Sequence, residues 1–236
     1  MIFEEIVDVA RAVHYEMSYL SHVSKSDVVS ESSFKYPAVE WLERKGGKDK
    51  VYFEKAHPVF YRRKTDISWF EDKKANYIEL KFVKKETAGE SEQQRYFDDL
   101  LRLCHIKMLN PHSNVYFIAC GQTTNWKQCF QNLGIEAPAE AVPIVPYTEK
   151  AKTEVKTNGA YSKWFSFDGS DIGKDIDTKE FQKNYDTFTE NYKFREESKH
   201  PDGLVLRTTL LWISEESMLS SCSTAVWKVD LIDVRK

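Results

Sequence analysis

Two acidic residues and a lysine, in two segments that favour extended structure, are the candidates for chemistry in this chain. Asp66 lies in segment 65–70, and Glu79 and Lys81 lie in segment 77–83. Because side chains alternate between the faces of a strand, Glu79 and Lys81 share one face. Two neighbouring carboxylates repel each other unless a cation lies between them, and a few carboxylate oxygens with water suit Mg²⁺. Such an ion would activate water toward a phosphodiester, and Lys81 would orient that water or stabilise the oxyanion.

A hairpin is the element that would bring these three residues together. Polar residues 71–76 separate the two extended segments and suit a turn, so we expect an antiparallel hairpin centred near Lys73. That centre sets Asp66 opposite residue 80 or its neighbours, beside Glu79 and Lys81. The other face of the hairpin is apolar and is expected to pack inward; it carries Ile67, Trp69, Ile78, Leu80 and Phe82. The simpler alternative is that the three charges lie on an exposed sheet face.

The flanking elements alternate between helical and extended patterns. Apolar spacing predicts helices over 2–20, from about Ser30 toward Arg44, and over 90–109, with Pro37 delaying the regular part of the second helix. Extended patterns cover 51–54, 59–61 and the buried run 114–120. This order predicts an α/β mixed sheet with layers on both faces. Further along, we expect a proline-containing loop at 134–147, a polar helix at 178–198, and two strands at 204–213 and 225–234 that pair with each other.

The acid, acid and lysine pattern resembles the PD-(D/E)XK, or restriction-endonuclease-like, nuclease superfamily. The matching residues are Asp66, followed across the hairpin by Glu79, Leu80 and Lys81, with Thr65 where the proline would stand. The resemblance covers residues 31–121 and implies a restriction-endonuclease-like fold of helix, three-stranded meander, helix and strand. It also implies that the two acids bind Mg²⁺, with Mn²⁺ as a possible substitute, that the Leu80 carbonyl is a further ligand, and that Lys81 assists the nucleophilic water.

A glutamate on the helix before the meander often completes the site in this superfamily. Glu31 and Glu40 compete for that role, and Glu31 is favoured because it opens the helix. After the third strand, some branches contribute a glutamine or a basic residue, which here points to Gln94 and Arg95. The glutamine and tyrosine submotif of the helicase-linked exonucleases is not present, since Gln93 is followed four positions later by phenylalanine.

Charge is distributed unevenly around the proposed site. The chain carries 34 Lys and Arg against 37 Asp and Glu, a net charge of -3, which gives no overall basicity for nucleic-acid binding. Residues 41–85 nevertheless hold 13 basic against 7 acidic residues, a local net charge of +6. Arg62, Arg63 and Lys64 flank the proposed site and are candidates for holding the phosphates of a substrate.

Composition and length limit the remaining possibilities. The chain of 236 residues, 41% of them hydrophobic, is expected to fold as a single domain with a nuclease-like core at about 31–121 and a C-terminal α+β extension at about 134–236. An acidic N-terminus and four dispersed cysteines favour a cytoplasmic location without membrane spans.

The expected activity is that of a deoxyribonuclease, taken as an endodeoxyribonuclease acting on DNA, with exonucleolytic action and RNA as open alternatives and a homodimer as a possible assembly. Two rival interpretations remain at this point. The chain could be a catalytically silent member of the superfamily that serves as a nucleic-acid-binding or protein-interaction module. It could also be an interaction domain with an accidental motif, in which case Asp66 and Glu79 should lie far apart.

Overall fold

The computed structural model describes residues 3–23, 30–71, 74–83, 90–130, 145–146, 165–166, 187–195, 201, 203–214 and 221–235. Its centre is a six-stranded mixed sheet in the order β1-β2-β3-β4-β8-β7. The strands are β1 (Val51–Phe53), β2 (Ile67–Glu71), β3 (Lys74–Val83), β4 (Asn114–Gln122), β7 (Gly203–Ile213) and β8 (Cys222–Arg235). Only the β3–β4 pair is parallel. The expected α/β class with a mixed sheet is confirmed.

Within the described residues, four helices of eight or more residues accompany the sheet: α1 (Phe3–His22), α2 (Glu31–Gly46), α3 (Glu90–Leu109) and α4 (Thr123–Phe130). The start expected near Ser30 is confirmed, since α2 begins at Glu31, whereas the delay expected from Pro37 is wrong, because Pro37 lies inside the helix. Ser33 Oγ accepts a hydrogen bond from the Ser30 backbone N–H at 3.1 Å, which ties down the first turn. Proline lacks one backbone donor, and the helix tolerates that single missing hydrogen bond.

The helices cover both faces of the sheet. α1 and α2 pack on one face, where the core includes Ile67, Trp69, Ile78 and Leu80. α3 packs on the opposite face against β3, β4, β7 and β8. Because β3 and β4 lie in the middle of the sheet, most of their side chains are buried on both faces.

The β2–β3 hairpin has the expected antiparallel pairing with a small shift in register. Ile67 pairs with Ile78 and Glu71 with Lys74. Continuing this register places Asp66 opposite Glu79, one position from the expected partner Leu80. β3 then crosses through α3 to β4, and Gly121 lies opposite Val83, where an added Cβ would come within 2.5 Å of the Val83 carbonyl oxygen.

Two predicted segments differ from their expected form. Residues 59–61 do not form a strand, because they lie in a loop whose strand-like pairing is limited to two isolated bridges, Ala56 with Lys64 and Phe60 with Phe194. The predicted loop 134–147 contains β5 (Val145–Pro146), which pairs with β6 (Phe165–Ser166); residues 134–144 and 147 lie outside the described residues. Of the predicted helix 178–198, the structure describes only 187–195, of which 187–191 are helical.

The last two strands, β7 and β8, belong to the same sheet as β1 to β4, whereas β5 and β6 form a separate two-stranded sheet. β8 pairs with β7, which confirms the predicted pairing of the two late extended runs, and it pairs with β4 on its other side, which was not predicted. Part of the predicted C-terminal extension is therefore built into the main sheet. Among the helices within the described ranges, none combines the length and the apolar character needed to cross a lipid bilayer.

Candidate active site

Asp66 lies at the first position before β2 and points toward β3. Its Oδ2 accepts a hydrogen bond from the Leu80 backbone N–H at 2.8 Å, and its Oδ1 lies 2.8 Å from Lys35 Nζ on α2. The hairpin register and this hydrogen bond fix the carboxylate beside the middle of β3. Asp66 and Glu79 are thus close neighbours, which argues against the interpretation of an accidental motif.

Glu79 projects from β3 toward α3, and its side chain is 2% exposed. Arg102 Nη2 on α3 lies 2.9 Å from Glu79 Oε2, whereas Oε1 is buried without a hydrogen-bond partner among the described residues. Burial raises the pKa of Glu79 well above its ordinary value; Arg102 opposes this shift, and Asp66 and Asp99 add to it. Two ionised carboxylates cannot hydrogen-bond each other, so Oε1 lacks a donor when both are charged.

Lys81 lies two residues further along β3 on the same face. Its Nζ is 2.8 Å from Asp99 Oδ2, and Asp99 Oδ1 is 2.6 Å from Arg102 Nη2. Burial alone would lower the pKa of Lys81, but Asp99, Glu31 and Glu79 together hold it above its ordinary value. Lys81 is therefore an ammonium ion at neutral pH, able to stabilise negative charge but not to accept a proton. None of these charges lies on an exposed sheet face.

The structure separates the two candidate glutamates of α2. Glu31 opens the helix, with its Oε1 3.5 Å from Lys35 Nζ, and burial raises its pKa, while Lys81 lowers it and Asp66 raises it further. These interactions place Glu31 at the edge of a group of charged side chains. We define this group as the charged cluster, which consists of Glu31, Lys35, Asp66, Glu79, Lys81, Asp99 and Arg102. Glu40 is exposed and forms an ion pair with Arg44. Of the two, Glu31 is the one that the fold brings to Asp66 and Lys81.

The three basic residues of segment 62–64 lie on a loop beside the cluster and do not enter it. Lys64 Nζ is 3.0 Å from Glu54, which is itself 3.7 Å from Lys35 Nζ. Arg62 lies over the Tyr61 ring, and Arg63 lies over the Tyr192 ring at 4.5 Å from its centre. All three side chains are exposed and accessible to a ligand.

The two α3 candidates receive less support from the structure. Both lie in the first half of α3, where Arg95 is exposed. The side chain of Gln94 lies outside the described residues. Leu80 contributes its backbone N–H to Asp66, so its peptide is part of the cluster.

Three charged residues of the cluster were not predicted from the sequence. Lys35, Asp99 and Arg102 each pair with one of the predicted site residues. A signal was present, because Lys35 follows Glu31 by four positions and Arg102 follows Asp99 by three, spacings that put charges on one side of a helix.

A divalent cation is compatible with this donor set. Among the described residues, no group of three or more His, Cys, Asp or Glu side chains converges to hold a metal ion. Asp66 and Glu79 supply two carboxylates, and Glu79 has a buried oxygen without a donor. Mg²⁺ is commonly bound by one or two carboxylates with water completing its shell, so the pair suits Mg²⁺ better than a metal that needs a full protein cage.

His57 anchors the loop that carries the three basic residues. The ring is fully buried, and Nδ1 accepts hydrogen bonds from the backbone N–H groups of Val59 at 3.1 Å and Phe60 at 3.2 Å. Burial lowers the pKa of His57 well below its ordinary value, and Arg102 lowers it further. The folded state therefore holds the His57 ring in its uncharged form.

We expect acidification to destabilise the protein through His57. As pH falls below about 6.5, the unfolded chain binds a proton on His57 that the folded state excludes, so stability falls by up to about 1.4 kcal/mol per pH unit. His57→Asn keeps a side-chain acceptor and cannot titrate in this range. Urea unfolding at pH 7 and pH 5 should show a smaller loss for His57→Asn than for the wild type; equal losses would contradict this role.

A scan against protein-family models found no match to the chain, and searches of curated proteins and of solved structures likewise found none.

Proposed function

We propose that the chain is a metal-dependent nuclease of the PD-(D/E)XK superfamily that hydrolyses phosphodiester bonds in DNA. The observation that supports this proposal most directly is the hydrogen bond from the Leu80 N–H to Asp66 Oδ2. It fixes the carboxylate just before β2 beside the Glu-X-Lys sequence of β3. The order α2, β1, β2, β3, α3 and β4 supports assignment to the restriction-endonuclease-like fold.

Asp66 and Glu79 would hold Mg²⁺ or Mn²⁺, with the Leu80 carbonyl as a further ligand. A bound ion would lower the pKa of a water molecule and neutralise charge on the phosphate. Lys81 remains protonated, so it acts by stabilising the anionic oxygens of the reacting phosphate. Asp99 holds the Lys81 ammonium group at 2.8 Å and is a positioning residue. Glu31 would hold water at the edge of the site.

Substrate binding would use the exposed basic residues of the loop. Arg62, Arg63 and Lys64 are within one segment, and Lys64 already lies near the cluster through its ion pair with Glu54. Contacts of this kind go to phosphates and carry no sequence information. Arg95 on α3 is a further candidate for the same role.

A cleavage assay tests the proposal. The wild type is incubated with supercoiled, linear and single-stranded DNA in Mg²⁺, Mn²⁺ or EDTA, beside Lys81→Met and the exposed β3 control Lys74→Met. We expect metal-dependent cleavage that falls by ~10²–10³-fold in Lys81→Met, because a charge-stabilising group is lost. The control should cleave like the wild type. A wild type that cleaves no DNA, or equal rates in the two variants, would contradict the proposal.

A second candidate function is a catalytically inactive module that binds nucleic acid or a protein. It is favoured by one observation: Lys35 lies 2.8 Å from Asp66 and Arg102 lies 2.9 Å from Glu79, so each proposed metal ligand already has a cationic partner. Such a module would bind DNA without cleaving it, and divalent metal would not stabilise it.

A further inference from the structure

Two aromatic rings stack on the surface next to the charged cluster. Tyr36 on α2 and Phe53 at the end of β1 have ring centres 6.0 Å apart and planes inclined by 20°. Tyr36 is 69% exposed and Phe53 is 41% exposed. We call this pair the aromatic platform. The two rings stack on each other in nearly parallel planes, and much of their surface faces solvent.

The position of β1 explains why Phe53 is exposed. β1 is an edge strand of three residues, and its side chains alternate, so Val51 and Phe53 point to the face that α1 and α2 cover. Val51 is buried there, whereas Phe53 lies beyond the covered part of the face. Large apolar groups left exposed together often mark a binding surface.

The aromatic platform adjoins the proposed active site. Lys35 Nζ lies 5.6 Å from the centre of the Phe53 ring and 2.8 Å from Asp66 Oδ1, so one side chain touches both features. Glu54, the next residue after Phe53, donates its backbone N–H to the Asp66 carbonyl oxygen at 2.9 Å. A polymer bound at the cluster would therefore pass the platform.

The chemistry of the surroundings favours a polynucleotide as that polymer. Phe53 belongs to the sequence segment 41–85, whose net charge is +6; Lys35 Nζ lies over the Phe53 ring, and the exposed Lys64 pairs with the next residue, Glu54. Aromatic rings bind the faces of bases, and cations bind the phosphates between them. In a duplex the base faces are covered by neighbouring base pairs, whereas in a single strand they are free to stack on protein rings.

We propose that Tyr36 and Phe53 stack on the bases of a single-stranded polynucleotide and lead that strand to the charged cluster. The inference rests on the proposed function only for the cleavage of the strand after it has bound. Binding itself is independent of cleavage and can be measured with the reaction stopped.

The test is fluorescence anisotropy of labelled oligo(dT), oligo(rU) and duplex DNA in EDTA. Tyr36→Leu and Phe53→Leu remove the rings but keep an apolar side chain, and Tyr36→Phe and Phe53→Tyr keep the rings. Tyr15→Leu on α1, where Tyr15 is 77% exposed, is the matched control. We expect each leucine variant to bind the single strand at least about fivefold more weakly, while the ring-keeping variants, the control and duplex binding are unchanged.

Loss of affinity for either single-stranded oligomer in the leucine variants supports the platform. The comparison of oligo(dT) with oligo(rU) shows whether the bound strand is DNA or RNA. Equal affinities in the leucine variants and the wild type, or an equal loss for the duplex, would overturn it. A protein that cleaves duplex DNA with unaltered single-strand affinity in Tyr36→Leu would refute the platform and leave the nuclease proposal standing. A protein that cleaves nothing yet loses single-strand affinity in the leucine variants would refute the nuclease proposal alone.

Discussion

Arg102→Met is expected to lower the free energy of unfolding by about 3–5 kcal/mol, because it leaves the Glu79 carboxylate buried without its cation. Arg102 joins Glu79 on β3 to Asp99 on α3 through contacts of 2.9 and 2.6 Å. Lys81 still pairs with Asp99 in the variant, so the uncompensated charge is mainly that of Glu79. Urea unfolding at pH 7 measures the effect.

Arg11→Met is the matched control for this prediction. Arg11 and Asp8 form the same arginine and aspartate pair, three residues apart on a helix, but the Arg11 side chain is 59% exposed. Exposed pairs of this kind contribute at most about 1 kcal/mol. If the free energy of unfolding falls by a similar amount in both variants, the buried Arg102 contacts stabilise the protein no more than an exposed pair does.

The loss in Arg102→Met should also shrink on acidification. Burial already raises the pKa of Glu79, so as pH falls the folded state binds a proton before the unfolded state does, and stability is gained. Adding Glu79→Gln to Arg102→Met removes the charge at any pH and should recover part of the loss. A double variant no more stable than Arg102→Met at pH 7 would contradict the assignment to Glu79.

Divalent metal is expected to stabilise the wild type, and Asp66→Asn is expected to lose most of that effect. A ligand that binds only the folded state at about 100 times its Kd adds about 2.7 kcal/mol of stability. Asparagine can still accept the hydrogen bond from the Leu80 N–H, but it lacks the negative charge through which a carboxylate attracts the cation. Thermal unfolding in MnCl2 and in EDTA measures the difference, and the same variant should cleave DNA at least about 10²-fold more slowly.

Asp230→Asn supplies the control for the metal experiment. Asp230 on β8 is also a partly buried aspartate paired with lysines, 3.1 Å from Lys228 Nζ, and it lies outside the charged cluster. Its variant should keep the full stabilisation by Mn²⁺. Equal stabilisation of Asp66→Asn would place the metal elsewhere, and no stabilisation of the wild type would favour the inactive module.

Much of the fold was predictable because its elements carry strong local patterns. The apolar spacing of 90–109 and the continuous run 114–120 lie where α3 and β4 are found. Polar residues 71–76 indicated the hairpin, and an error of one position in register did not separate Asp66 from Leu80. These features are determined by residues that are close together in the sequence, through apolar spacing and the residues of the turn.

The ionic partners of the site depend on packing between distant segments. Lys35 and Arg102 are charged helical residues, for which solvent exposure is the ordinary expectation. Their burial follows only when α2 and α3 are docked on opposite faces of β3. Likewise, residues 59–61 were predicted as a strand from their β-branched and aromatic composition. The prediction failed because Phe60 forms only an isolated bridge to Phe194, which lies far away in the sequence.

The position of β8 between β4 and β7 has a consequence for the order in which the protein can fold during synthesis. A ribosome makes Asn114–Gln122 long before Cys222–Arg235, so the nascent chain carries β4 as an open sheet edge until the last strands emerge. α3, which brings Asp99 and Arg102 to the site, packs on β8 as well as on β3 and β4. The charged cluster is therefore expected to reach its final arrangement late, after the chain through residue 235 is free to fold.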